Sequence, residues 1–114
     1  MRKILYLTVI LTSLICVSCA TFEIGNLNPK KRRAEYLQSH PQTKFQAKIQ
    51  KGELALGMNQ HEVVASIGSN WKVNRTTGSY GVHEQWVLPH NSSRDRRYAY
   101  LYFENYILTG WQSR

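Results

Sequence analysis

Arg97-Tyr98-Ala99-Tyr100-Leu101-Tyr102-Phe103-Glu104-Asn105-Tyr106-Ile107-Leu108-Thr109-Gly110-Trp111-Gln112 reads as two strands and the turn between them. Successive side chains of a strand point to opposite faces, so Ala99, Leu101 and Phe103 share one face and Tyr98, Tyr100 and Tyr102 the other. Segments 97–104 and 106–112 are rich in aromatic and branched residues at that period, the composition of strands. Between them Asn105 is one of the few non-glycine residues that tolerate a positive φ, which makes Glu104-Asn105-Tyr106 a tight turn. The period of two continues upstream: 71–77 and 82–88 read as strands, joined by Gly78-Ser79-Tyr80-Gly81. A longer polar loop runs from Pro89 to Arg96.

Before Trp71 the pattern is helical. Segment 30–39 reads as a short helix with Ala34, Leu37 and Tyr36 toward its apolar side, and His40-Pro41 interrupts it because proline disfavours helix at the residue before it. A second helix over 41–51 carries Phe45, Ala47 and Ile49, with Lys44, Lys48 and Lys51 on a basic face, and Gly52 stops it. After the connection Leu54-Ala55-Leu56-Gly57-Met58, Asn59-Gln60-His61-Glu62 has the form of a capping box, with Asn59 as the cap and Glu62 reaching back. Val63, Val64 and Ile67 give the helix at 60–67 its apolar face, and Gly68 fits a left-handed position after it. Helices followed by strands predict an α+β domain, its N-terminal helices packed on one face of a three- to four-stranded antiparallel meander.

The N-terminus has another character. Met1-Arg2-Lys3, an apolar stretch from Ile4 to Ser18 and a small residue before Cys19 are the three parts of a secretion signal. The stretch is shorter than the ~20 residues of a spanning helix and is weakened by Thr8, Thr12 and Ser13. Cys16-Val17-Ser18-Cys19 resembles the box of bacterial lipoprotein precursors, Leu-(Ala/Ser/Val)-(Gly/Ala/Ser)-Cys, with Cys16 where leucine is usual. The resemblance implies a signal peptide at 1–18, cleavage before Cys19 and acylation of that cysteine. Several chains at roughly 0.8 kcal/mol per buried CH₂ would anchor it stably. Residues 19–29 would then be the acylated cysteine and tether, and 30–114 one small domain. The absence of Asp after the cysteine, where Ala20 stands, points by the same resemblance to the outer membrane, facing the periplasm.

The chain of 114 residues carries a net charge of +8. Arg2 and Lys3 leave with the signal, and Cys16 with them, so the exported chain keeps a charge of +6 and a single cysteine. A disulfide within it is excluded, and stability rests on packing. A positive balance calls for acidic partners. An exported lipoprotein does not meet nucleic acid, so anionic lipid, lipopolysaccharide, peptidoglycan or acidic protein surfaces take its place.

Leu54-(x2)-Gly57-Met58, Val63-(x4)-Gly68, Gln85-Trp86-Val87 and Tyr100 to Asn105, with Leu108 after them, occur in an order that resembles the small outer-membrane lipoproteins of the SmpA/OmlA type, the BamE-like group. The resemblance covers about residues 50–112, besides the cysteine box. It implies two helices against a small antiparallel sheet, a fold shared with the β-lactamase-inhibitor-protein repeats. It also implies a non-enzymatic scaffold or accessory role in outer-membrane organisation and β-barrel assembly. The sequence departs from the family at Gly68-Ser69-Asn70, where Gly-x-Pro is frequent, and at Tyr106, where a glycine is usual.

Two groups of residues are candidates for binding. Tyr98, Tyr100 and Tyr102 would line the open sheet face beside Trp86 or Trp111, and aromatic rows with polar tips are frequent binding hot spots. They also suit plain cross-strand pairing on an exposed face. Lys30, Lys31, Arg32 and Arg33, with Arg94, Arg96 and Arg97, suit an anionic surface. The first run lies at most about 40 Å from Cys19 at ~3.5 Å per residue. Both runs also read as solvated charge. Chemistry has less support: His61-Glu62 and His83-Glu84 begin like His-Glu-x-x-His but lack the second histidine. The seven acids are scattered, and no Gly-x-Ser-x-Gly occurs. The expectation is a binding protein with no catalytic residue, metal, cofactor or small-molecule substrate.

Overall fold

The computed structural model describes residues 28–114. The signal segment, Cys19 and the tether up to residue 27 lie outside the described residues. The chain runs through α1 (Pro29–Ser39), α2 (Gln46–Lys51), α3 (Gln60–Ile67), β1 (Lys72–Gly78), β2 (Gly81–Val87), a 3-10 turn (Arg96–Tyr98), β3 (Tyr100–Glu104) and β4 (Ile107–Gln112). The strands form one antiparallel sheet in the order β1-β2-β3-β4, so helices followed by a meander is the architecture observed. Among the described residues no helix is long and apolar enough to cross a membrane.

Local chemistry accounts for the helix starts. Asn28 caps α1, its Oδ1 accepting the Lys31 N–H at 2.9 Å, with Pro29 in the first turn where its missing N–H costs nothing. At α3 the full capping box is present: Asn59 Oδ1 accepts from the Glu62 N–H at 2.8 Å, and Glu62 Oε1 from the Asn59 N–H at 3.0 Å. The expected helix over 41–51 is shorter than the pattern suggested. Residues 41–45 form turns instead, because Thr43 Oγ1 accepts the Phe45 N–H and donates to Glu62 Oε2 at 2.5 Å. Hydroxyls that bond nearby backbone in this way compete with helix. Gly68 has a positive φ of 104° but an extended ψ of 173°, so the left-handed cap expected there is replaced by a conformation that is essentially glycine's alone.

Register assigns the faces. Val73, Trp86, Leu101 and Trp111 form one row across the sheet, and Arg75, Glu84, Phe103 and Leu108 the next. From these rows Trp86, Leu101, Phe103 and Leu108 meet Tyr36, Ile49, Leu54, Met58 and Val63 of the helical half in one core. Each large apolar side chain buried there contributes on the order of 1.5–3 kcal/mol. Trp86 belongs to this core, its ring 4.6 Å from that of Phe103, and not to the open face where it was expected. Its face follows from pairing opposite Leu101.

Tyr98 is the second correction. The expected strand over 97–104 begins only at Tyr100, because Asp95 Oδ1 takes the Arg97 N–H and starts the 3-10 turn, and Ala99 is in the right-handed helical region. Strand alternation fails there, and Tyr98 and Ala99 are both buried, with the Tyr98 hydroxyl accepting the Leu54 N–H. At the other hairpin Asn105 and Tyr106 both have positive φ, 49° and 69°. Asn105 also joins the two hairpins, exchanging bonds with the Val82 backbone. Segment 57–59 covers the outer side of β4 through Gly57 N–H to Leu108 O and Leu108 N–H to Met58 O.

Glu84 is the one acid in the sheet's core rows, 4 % exposed. Burial pushes its pKa up, but hydrogen bonds from Arg75, Gln60 and Trp86 Nε1 and the Arg75 charge outweigh burial and hold it below its usual value. A depressed carboxylate pKa adds stability above the unfolded-state value, ~4.3 for glutamate, and loses it as pH falls through the folded value. Urea unfolding of the protein should therefore show stability declining below about pH 4.3, and Glu84→Gln should flatten that acid limb while lowering stability at pH 7.

Candidate anion-binding site

The C-terminal end of a helix leaves carbonyls without intrahelical partners. In α3 two of them are met by side chains of α1. Arg32 Nε donates to Ala65 O at 3.0 Å and its Nη2 to Ser66 O at 3.4 Å, while Arg33 Nε donates to Ser66 O at 2.8 Å. A cation is favoured at this end of the helix dipole, by up to ~2 kcal/mol where partly buried. Arg32 is 6 % exposed, an unusual burial for a charged side chain, and its carbonyl partners are what permit it.

The loop before β3 brings a third guanidinium to the same place. Arg94 lies over the Trp71 ring at 5.2 Å and donates from Nη2 to Ser69 O, while Trp71 Nε1 donates to Gly68 O at 2.8 Å. Its Nη1 is buried and, among the described residues, meets no acceptor. A Cβ at Gly68 would sit 3.3 Å from Arg94 Nη1 and 3.6 Å from Arg32 Nη1, so both converge above the bare glycine. Gly52 does the same for Arg33, whose guanidinium occupies the space a side chain would fill.

Together these elements line a cavity of about 300 Å³. Among the described residues Arg32, Arg33, Lys51, Arg94 and Arg97 contribute positive charge and Asp95 the one acid. Asp95 is already engaged, its Oδ2 2.8 Å from Arg97 Nε and 2.6 Å from Arg97 Nη2. The crowding is visible in the ionisation: burial, then the charges of Arg33 and Arg94, push the Arg32 guanidinium below its usual pKa, and burial does the same to Arg94. Both remain charged at neutral pH, because arginine does not deprotonate in proteins. The result is a concave surface holding like charges together with one donor unsatisfied.

Of the basic residues singled out from the sequence, the structure brings together Arg32, Arg33, Arg94 and Arg97. Lys30, Lys31 and Arg96 are exposed and do not line the cavity. Lys51 was placed only on a basic helix face; its position in the last turn before Gly52 was the available signal. Of the aromatic set, Tyr100 and Tyr102 lie half-buried on the open face, where the Tyr102 hydroxyl donates to Gln112 Oε1 at 3.1 Å and Arg114 lies over the Tyr100 ring. Tyr98 and Trp86 are in the core. Among the described residues no group of three or more His, Cys, Asp and Glu is placed to hold a metal ion. No protein-family model, curated protein or solved structure matches the chain.

Gly52 has a φ of 72°, a conformation that costs an L-residue roughly 1–2 kcal/mol. Gly52→Ala should therefore destabilise the protein by about 1–2 kcal/mol in urea unfolding and displace Arg33 as well. Gly110→Ala, where the new Cβ has nothing within 4 Å, is the control and should stay within about 0.5 kcal/mol of the parent.

Proposed function

We propose that this chain is a non-enzymatic lipoprotein, held by acyl chains on Cys19 at the outer membrane and facing the periplasm, which grips an anionic component of the envelope. The observation that supports this reading best is the convergence of residues from two separate basic runs, Arg32 and Arg33 with Arg94 and Arg97, on one cavity whose one acid among the described residues is already paired. Lys30 and Lys31, exposed at the start of α1, add charge in the part of the domain that follows the tether in sequence. Near an anionic surface each adds about 1 kcal/mol. The test is binding of the detergent-solubilised chain to short-chain anionic lipids and to a zwitterionic lipid of equal length. Binding should be confined to the anionic lipids, weaken at least about tenfold between roughly 50 mM and roughly 300 mM salt, and vanish in an Arg33→Glu/Arg94→Glu double variant. Equal binding of the zwitterionic lipid, or indifference to salt, refutes the reading.

A second reading is a scaffold or accessory subunit in outer-membrane organisation, with the β-barrel assembly machinery as the partner that the family resemblance implies. Tyr100 and Tyr102 on the open sheet face favour it. Affinity capture from solubilised envelopes should then recover assembly subunits with the parent and lose most of them with Tyr102→Ala. Recovery unchanged by the substitution rejects this use of the face.

A further inference from the structure

We infer that the ligand of the cavity lined by Arg32, Arg33 and Arg94 is a phosphomonoester in its dianionic form, held by their guanidinium groups. This rests on the anion-binding reading above. Three features carry it further than charge alone.

The first is pre-organisation. Each arginine uses part of its donor set to fix itself: Arg32 through Nε and Nη2, Arg33 through Nε, Arg94 through Nη2. Among the described residues that leaves Arg94 Nη1 buried without an acceptor, and it brings Arg32 Nη1 to the same bare glycine. A buried donor left unpaired is costly, and a guanidinium fork matches the spacing of phosphate oxygens.

The second is the charge balance. Five cations line the cavity against Asp95, which Arg97 already engages. The surplus favours a dianion over a monoanion, since Coulomb attraction scales with charge. A phosphomonoester carries about −1.5 to −2 at neutral pH, whereas a diester carries one charge. The third is size. At about 300 Å³ the cavity stands at the lower end of small-molecule sites, suiting a phosphate with a short substituent. Such a group occurs on a lipid headgroup and on a free soluble ester, and the chemistry of the cavity is common to both.

The charged groups facing the site are Arg32 and Arg33 from α1, Lys51 from α2, and Arg94, Asp95 and Arg97 from the loop; no histidine lines it. Asp95 is held below the usual carboxylate range by its hydrogen bonds from Arg97. The pH dependence of binding near pH 6 therefore belongs to the ligand, whose second ionisation falls at about that pH.

The experiment is calorimetric titration of the full chain in detergent with glycerol 3-phosphate, inorganic phosphate, dimethyl phosphate and sulfate. Glycerol 3-phosphate should bind at least about tenfold tighter than dimethyl phosphate near pH 7.5. Its affinity should fall severalfold on going to about pH 5, while that of sulfate stays level. Arg94→Lys keeps the charge and loses the fork, and should weaken glycerol 3-phosphate about tenfold with little effect on dimethyl phosphate. Asp95→Asn keeps an acceptor for the Arg97 N–H, removes the competing charge and should tighten the monoester; it serves also if Arg94→Lys fails to fold. Equal affinity for monoester and diester, with both variants behaving as the parent, overturns the phosphomonoester inference and leaves the anion-binding reading standing. No binding of any anion, soluble or lipid, overturns both. In the same micelles, short-chain phosphatidic acid binding more tightly than glycerol 3-phosphate identifies the lipid as source, and equal binding identifies the free ester.

Discussion

The guanidinium of Arg32, buried against the last carbonyls of α3, is the contact on which the helical half depends. It satisfies acceptors that the end of the helix leaves open, and it fixes how α1 lies across α3. One turn further along α1, Tyr36 falls on the same buried face and stacks on His40 at 4.1 Å between ring centres. Removing the cation would leave Ala65 O without its side-chain donor, Ser66 O with Arg33 alone, and the helices without this alignment. Arg33, next in sequence, reaches Ser66 O around the other side of α1, so one helix holds the end of another with two adjacent side chains.

That alignment has an electrostatic consequence. With α1 placed, Arg33 lies against Gly52 and Arg32 opens toward Gly68. The loop before β3 is fixed at its far end by Leu88 N–H to Ala99 O and by the Asp95 cap, and midway by Arg94 on Trp71. It has little freedom to carry Arg94 elsewhere. The fold therefore holds like charges together: burial first, and then the charges of Arg33 and Arg94, lower the pKa of Arg32, while burial alone lowers that of Arg94. Sites kept at such a cost to stability are where function and packing pull in different directions.

The same logic explains what was legible in the sequence. The capping box at Asn59, the helix at 60–67, the turn at Asn105 and the order of helices and strands are local, and local chemistry is what a sequence displays. Tyr98 was misread because alternation holds only while the backbone stays extended, and Ala99 leaves the extended region just before β3. Trp86 was misread because its face depends on which residue of β3 stands opposite, a fact of register that no single strand contains. The basic runs were visible as charge, but their convergence was not, because it requires α1, α3 and the loop to be assembled first. Burial of Arg32 runs against the usual behaviour of its residue type, and only the unpaired carbonyls of α3 make sense of it.

The two surfaces that competed as binding sites differ in what they leave unsatisfied. On the open face the Tyr102 hydroxyl already has Gln112, Tyr100 has Arg114 over its ring, and Asn74 pairs with Gln85 across β1 and β2. A partner arriving there must replace contacts the face makes with itself. In the basic cavity the local balance is the reverse: positive charges exceed negative, the acid is already paired, and among the described residues a buried N–H of Arg94 has no acceptor. Under the proposed anion-binding role, an anion entering this cavity would relieve repulsion among its cations. Under that proposal the free-energy gain from binding would come from the cavity rather than from the open face, whose polar groups are already paired with one another.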